Sequence, residues 1–318
     1  MKTLHYFKGE GIKEVDFNLP EPREDQIQIR TVYCGICRSD IGNYMEKEEM
    51  PYSNNENTEG IIGTWGHEGV GIVVKVGNNL KDIYKPGDFV ATCSDPAYSY
   101  YYNAKLEESV KIPELDKKYI IQPVSCAINI IDKTIITANN LKINSKKILL
   151  IGSGFMSLVI GRYLKTMASD CELFVVGSSL KNKWGELGYK MFNSINEIDT
   201  DSFSIVIDLS SKSENFYELN RITKLEGLIC YAATPYDKIT TNFFENCWKC
   251  HTFIMPSPRS SDFREIMGKT VELIESKKLI TDDIWSREYD RGDIKDIIKG
   301  FDDGVKRNND YIRGYLKF

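Results

Sequence analysis

The sequence predicts an α/β protein in two parts: an N-terminal β domain, then a doubly wound parallel sheet of the kind that binds dinucleotides. Two observations carry this. Up to about residue 113 the apolar residues fall in short runs punctuated by Gly and Pro, as strands joined by turns do. From residue 120 onward, apolar runs of strand length alternate with segments of helix length, the pattern of a parallel sheet. A chain of 318 residues accommodates about two domains, and 42% hydrophobic residues with 23 glycines is ordinary for a globular protein. The net charge of −5 offers no footprint for nucleic acid. No apolar run reaches the roughly eighteen residues that span a bilayer, and the polar start lacks a signal peptide's apolar segment, so a cytoplasmic protein is expected. The eight cysteines are scattered through a long chain and read as thiols or metal ligands rather than a disulfide scaffold.

In chain order, residues 4–7, 12–17 and 26–32 read as strands. Gln26, Ile27, Gln28, Ile29 and Arg30 alternate with period two, as a half-exposed strand does. Cys34 to Asp40 leaves the third strand, with Ser39 and Asp40 placed to cap a short helix through Tyr44 and Met45. Residues 46–59 are acidic and poor in apolar residues, a surface loop. The stretch 60–77 then holds six glycines around the adjacent pair His67 and Glu68, followed by the β-branched run 70–76. His67 therefore sits at a strand entrance, where it serves either as a ligand or as a hydrogen-bonded core histidine. The turn at Pro86, Gly87 and Asp88 feeds another strand. Tyr98, Tyr100, Tyr101 and Tyr102 either pack on a sheet face or line a polar cleft.

In the second half, residues 123–140 read as a helix, and Lys147 to Ile151 as a strand. That strand runs into Gly152, Ser153, Gly154, Phe155, Met156 and Ser157, which open a helix over 158–167. This is Gly-x-Gly-x-x-Gly with Ser157 in the third place. The first glycine makes the turn, the second admits a pyrophosphate, and the helix N-terminus at Phe155 and Met156 stabilises its charge. The strand at 173–176 ends in Gly177, Ser178, Ser179 and Lys181, without the carboxylate that would take the ribose 2′-hydroxyl of NAD. Ser178, Ser179 and Lys181 suit a 2′-phosphate, so NADP(H) is expected over NAD(H); the alternative is that the two serines cap the next helix. Further strands are expected at 204–208, 228–232 and 252–255, then helices through Lys277 and near 294–304, and a closing strand at 311–318.

Cys37, Arg38, Ser39 and Asp40, then Gly66, His67, Glu68 and Gly71, then Pro86, Gly87, Asp88 and Val90, then Gly152 and Gly154, occur in the order found in the medium-chain dehydrogenase/reductase family. The chain resembles that family's zinc-dependent alcohol dehydrogenases, especially the polyol-dehydrogenase-like members, over nearly its whole length. The resemblance implies a partly open, GroES-like β-barrel for catalysis (residues 1–125, completed by 260–318) and a Rossmann domain (126–259), with the active site in the cleft between them. It implies hydride transfer between a nicotinamide and an alcohol or carbonyl substrate, one catalytic zinc, and a homodimer or homotetramer. Cys37 and His67 are then zinc ligands, Glu68 a nearby or exchangeable ligand, Ser39 the proton relay and Asp40 the residue that orients His67. Thiolate and imidazole suit zinc, and a carboxylate behind a ligating histidine sets its tautomer.

Four departures from the family pattern matter. Only Cys93 lies where many members carry four cysteines for a structural zinc, so no structural zinc is expected. The third ligand is a Cys, or the Glu of a Glu-Pro pair; here Gln122 precedes Pro123, with Cys126 as the other candidate and Glu68 as a third way to complete the shell. Gly42 stands where a relay histidine is often found. Ser157 replaces the third glycine. Cys247, Cys250 and His251 lack a second ligand pair and read as packing near a subunit interface. Cys34 and Cys37 lack a thioredoxin-like context for redox work. Arg259 and Ser261 either meet a phosphate or, for Ser261, cap a helix. Polyols, sugars and sugar phosphates are the expected substrate class. The rival readings are a metal-free NADPH quinone or enone reductase and a nucleotide-binding protein without turnover.

Overall fold

The structure, a computed structural model, describes residues 1–45, 62–144, 146–167, 171–210, 212–233, 243–257, 260–308 and 310–318. The expected surface loop at 46–59 and the expected phosphate ligand Arg259 lie outside the described residues. The chain divides into two compact units. One comprises Met1–Pro123, Ser261–Glu275 and Ile280–Phe318; the other comprises Val124–Ser260 and Ser276–Leu279.

The first unit opens with the antiparallel ribbon β1 (Lys2–Phe7) and β2 (Gly11–Asp16), then β3 (Gln26–Gly35), α1 (Arg38–Tyr44), β4 (Gly69–Val76), β5 (Phe89–Thr92), β6 (Tyr101–Lys105) and β7 (Ser109–Lys111). Strand β3 is the spine: it pairs antiparallel with β4 and, over Gln26 to Arg30, with β6. This explains one difference from the sequence pattern. Gln28 is buried, because β6 lies beside it and its amide donates to Asn103 Oδ1 at 3.3 Å. β3 also runs past the expected end at Val32 through Gly35, because the end of the chain returns to pair with it.

Helix α2 (Gln122–Asn140) leads into the second unit. There β8 (Lys147–Ile151), α3 (Phe155–Met167), β9 (Glu172–Val176), α4 (Lys181–Leu187), β10 (Lys190–Phe192), β11 (Phe203–Asp208), α5 (Asn215–Ile222), β12 (Thr223–Tyr231), α6 (Phe243–Trp248) and β13 (Thr252–Ile254) follow. The sheet order is β10-β9-β8-β11-β12-β13, every pair parallel. That is the doubly wound 3-2-1-4-5-6 order of the Rossmann fold, whose switch point lies beside its first strand, here β8. The buried apolar runs 148–151 of β8 and 205–207 of β11 are what such a sheet requires.

The chain then re-enters the first unit through α7 (Phe263–Glu275), β14 (Trp285–Asp290), α8 (Ile294–Lys306) and β15 (Arg313–Lys317). β15 pairs antiparallel with β3 through Tyr33 to Gly35, and parallel with β14. Both β10 and β14 were absent from the sequence expectation; three residues, and a run as polar as Trp285–Asp290, carry too little periodicity. Helix α8 packs on β14, β15 and α1. A methyl group on Gly300 would lie 2.9 Å from the Tyr289 ring, which is itself held by its hydroxyl donating to Asp303 at 2.8 Å. Among the described residues no helix is long and apolar enough to cross a membrane.

Two helical glycines should respond oppositely to alanine. At Gly268 in α7 a methyl meets nothing within 4 Å, so Gly268→Ala should add about 1 kcal/mol from helix propensity. Gly300→Ala gains the same propensity but forces the rigid Tyr289 ring aside at about 1–3 kcal/mol, a net loss. Urea unfolding of both variants checks this; equal stabilisation by both would contradict the packing.

Candidate metal centre and nucleotide loop

Three backbone segments meet in the first unit to build the cluster. The end of β3 is pinned by Gly35 N–H donating to Glu68 O (3.1 Å) and Ile36 N–H to Gly314 O (3.0 Å). Residues 65 and 66 are held by residues 97 and 98: Ala97 N–H donates to Gly66 O (2.8 Å) and Tyr98 N–H to Trp65 O (3.3 Å). Cys37 then stands at the N-cap of α1 with extended backbone, and His67 and Glu68 precede β4. The result is that ligand atoms of Cys37, His67 and Glu68 lie within 4.8 Å of one another, the one such His, Cys, Asp or Glu cluster among the described residues.

Neither Ser39 nor Asp40 caps α1, as the sequence suggested, because the N-cap position falls on Cys37 and no side chain caps it. Ser39 instead donates to Cys37 Sγ at 3.2 Å. Asp40 is buried and accepts a hydrogen bond from Tyr98 at 2.8 Å. Burial pushes its carboxyl up, while the nearby His67 charge and the Tyr98 hydrogen bond oppose the rise. Burial works against charge on His67 too, but the Cys37 thiolate, Asp40 and Glu68 outweigh it and raise the imidazole well above its ordinary value. A second carboxylate, Asp95 Oδ1, lies 3.9 Å from His67 Nδ1. Cys34, enclosed in β3, has its thiol pushed well up by burial, which leaves it unreactive beside Cys37.

Glu68 is fully buried, and its two oxygens are treated differently. Oε1 pairs with the Arg313 guanidinium, while Oε2 has no hydrogen-bond partner. A buried carboxylate oxygen without a donor costs about 1–3 kcal/mol or more, and a cation in the cluster would remove that cost. Gly35 is required here: any Cβ would collide with Glu68 Oε2 and come within 3.1 Å of the Ile120 methyl. Gln122, two residues beyond Ile120, is buried at the start of α2; Cys126, four further on, belongs to the second unit. Sequence reading missed Arg313 and Gly35. An arginine opening an otherwise apolar C-terminal strand was the available signal.

In the second unit, Gly152 turns with φ +102° and a methyl on Gly154 would meet nothing within 4 Å, so backbone is open there. Phe155 and Met156 form the first turn of α3, and Ser157 fills the third glycine's place by donating to Gly152 O at 2.5 Å. At the end of β9, Ser178 and Ser179 are exposed and neither caps α4, whose N-cap is Leu180 in the left-handed region. Ser179 N–H donates to Ser153 Oγ (2.9 Å), and Lys181 Nζ to Asn193 Oδ1 (3.0 Å). Cys247 and Cys250 are exposed in this chain, and His251 is hydrogen-bonded to Asn246 and Lys224, so the three form no ligand cluster among the described residues. Of the four tyrosines, Tyr98 and Tyr102 are buried and Tyr100 and Tyr101 exposed.

Residues 23–110 match the family model described as alcohol dehydrogenase GroES-like domain. An uncharacterized zinc-type alcohol dehydrogenase-like protein of Escherichia coli K12 is 37% identical over 79 residues, 25% of this chain and 21% of that protein. The chain spans 12 to 31% of the length of the curated relatives it matches. Among solved structures, 2R,3R-butanediol dehydrogenase from Bacillus subtilis aligns with a TM-score of 0.78 at 17% identity, covering 100% of this chain and 99% of that one. Galactitol-1-phosphate dehydrogenase from Escherichia coli aligns at 0.76 with 15% identity, covering 99% of each. The N-terminal unit is therefore a GroES-like domain, the second a Rossmann domain, and the fold is that of the zinc-type medium-chain alcohol dehydrogenases.

Removing Arg313 leaves Glu68 buried with a bare charge. Arg313→Met should lower the unfolding free energy of metal-free protein by about 3–5 kcal/mol. Adding Glu68→Gln should recover most of that loss; a double variant as unstable as the single would show that the pair is not the cause.

Proposed function

We propose that this chain is a zinc-dependent oxidoreductase that transfers a hydride between NADP(H) and an alcohol or carbonyl substrate. The observation that carries the reading is the cluster itself: a carboxylate oxygen of the buried Glu68 lies within 4.8 Å of ligand atoms of Cys37 and His67, and its Oε2 has no hydrogen-bond partner among the described residues. Thiolate, imidazole and carboxylate are zinc's own donors, and three protein ligands leave a fourth position for substrate. Cys37 and His67 would hold the ion, with Glu68 or the neutral Gln122 as the third ligand. Zinc, when bound, would supply Lewis acidity at the reacting oxygen.

The remaining roles fall to the chain's own groups. The Ser39 hydroxyl, beside Cys37 Sγ, both donates and accepts and is suited to carry the substrate's proton. Asp40 steadies His67 electrostatically. Gly152 and Gly154 admit a pyrophosphate to the N-terminus of α3, whose first turn begins at Phe155 and Met156. The absence of a carboxylate at the end of β9, with Ser178 and Lys181 exposed there, favours the 2′-phosphate of NADP(H); the Ser179 backbone N–H is already occupied by Ser153. A polyol, sugar or sugar phosphate is the substrate class, supported by the butanediol and galactitol-1-phosphate dehydrogenases of like fold. A homodimer or homotetramer in the cytoplasm completes the reading. A metal-free reductase has no use for a bare carboxylate oxygen buried among a thiol and an imidazole.

Purified protein should carry one zinc per chain by elemental analysis, and Cys37→Ala should lose it along with about 10³-fold in kcat/KM, several kcal/mol of transition-state stabilisation. Wild-type protein that reduces a polyol-derived ketone at full rate without zinc would sink the proposal. In a fluorescence titration NADPH should bind at least about tenfold more tightly than NADH, a difference of about 1.4 kcal/mol; a preference for NADH would reverse the cofactor assignment alone.

A further inference from the structure

We propose that Tyr98 is a positioning residue of the metal centre, holding Asp40 and the ligand-bearing backbone in register. This rests on the zinc reading above.

Tyr98 is fully buried, and its hydroxyl stands 2.8 Å from Asp40 Oδ2 and 3.2 Å from Gly35 O. A phenol has one proton to give. The charged acceptor makes the stronger bond, so the proton goes to Asp40, three residues after Cys37. The hydroxyl also sits against the carbonyl of Gly35, two residues before Cys37. One atom thus touches both sides of the chain that presents the thiol.

The ring does the same for the imidazole. Gly66, immediately before His67, has φ +80°, and a methyl there would lie 2.6 and 2.7 Å from Tyr98 ring carbons and 2.8 Å from its backbone nitrogen. The Tyr98 ring therefore packs directly against Gly66, and the Ala97 and Tyr98 amides donate to the Gly66 and Trp65 carbonyls. Asp95, three residues earlier, brings its carboxylate 3.9 Å from His67 Nδ1.

Tyr98 is in turn aimed from behind. The buried guanidinium of Arg291 donates from Nε to Tyr98 O at 2.9 Å and from an amino group to Glu14 at 2.9 Å, and the Arg291 N–H donates to Lys317 O at 2.8 Å. The C-terminal return is thereby tied to residue 98. The short segment 93–98, which carries a single cysteine, brings Asp95 and Tyr98 against the His67 and Asp40 side of the cluster. A partner of a ligand's own partner is typically worth 10- to 100-fold in metal affinity.

Zinc affinity is measured by competition with a chromogenic chelator and site geometry by the d–d absorption of cobalt-substituted protein. The melt of the metal-free form reports folding. Tyr98→Phe should weaken zinc binding about 10- to 100-fold and shift the cobalt bands. Tyr102→Phe removes an equally buried hydroxyl that bonds Thr92 at 2.6 Å and should change neither. In an Asp40→Asn background, Tyr98→Phe should alter affinity by no more than about twofold, since the two act as one unit. The role is overturned if folded Tyr98→Phe binds zinc like wild type with unchanged bands, or if the two losses add in full. It is also overturned if the metal-free variant has lost its melting transition, which would make the hydroxyl a folding requirement. Zinc lost on Cys37→Ala but indifferent to Tyr98→Phe sinks this inference alone; a wild type that takes up no zinc sinks the metal reading beneath it.

Discussion

Glu68 and Arg313 meet as a buried ion pair where the first unit's central strand is joined by the last strand of the chain. Neither charge has water to fall back on, so each is tolerable only in the presence of the other, and breaking one side costs far more than forming the pair returns. Burial and the Glu68 charge act in opposite senses on Arg313, and the pairing wins, holding the guanidinium charged. Because Arg313 opens β15, the pair demands that β15 lie on β3, which fixes Gly35, the backbone under Cys37 and the direction of Glu68's second oxygen. The C-terminal return thus supports the Cys37, His67 and Glu68 cluster rather than trailing from the unit.

The cluster packs like charges closely. Cys37, Glu68 and Asp40 place three acidic groups about one imidazole, and their mutual repulsion is relieved by His67, Arg313 and the hydrogen bonds from Tyr98 and Ser39. Such an arrangement stores a preference for positive charge. A divalent ion would satisfy Glu68 Oε2, balance the thiolate and release the imidazole's proton together, which is why metal binding and stability should be coupled here.

The second unit solves a different problem with neutral groups. Ser153 receives the Ser179 amide, its carbonyl receives the Trp184 indole N–H at 3.1 Å, and Gly177 leaves room for its side chain. The turn after β9 is thus locked to the turn after β8. The glycine turn after β8 and the turn after β9 are tied together by hydrogen bonds, while a methyl on Gly154 would meet nothing within 4 Å.

Local pattern was enough to determine much of this protein. Period-two runs, the strand-to-helix switch near residue 120 and the spacing of Gly152, Gly154 and Ser157 specify a β domain and a Rossmann sheet, because each depends on residues within a few positions of one another. Cys37, His67 and Glu68 were legible for the same reason: each sits in a short motif. What only the tertiary structure decided are the contacts of high sequence separation. Arg313 against Glu68, Tyr98 against Asp40, Arg291 against Tyr98 and β15 against β3 join residues tens to hundreds of positions apart, and nothing in a local window encodes which polar group a buried strand will bring beside another. Ser39 and Asp40 show the limit most plainly. Both fit a helix cap by sequence, yet the backbone placed the cap on Cys37, and the two side chains bond the Cys37 thiol and Tyr98 instead.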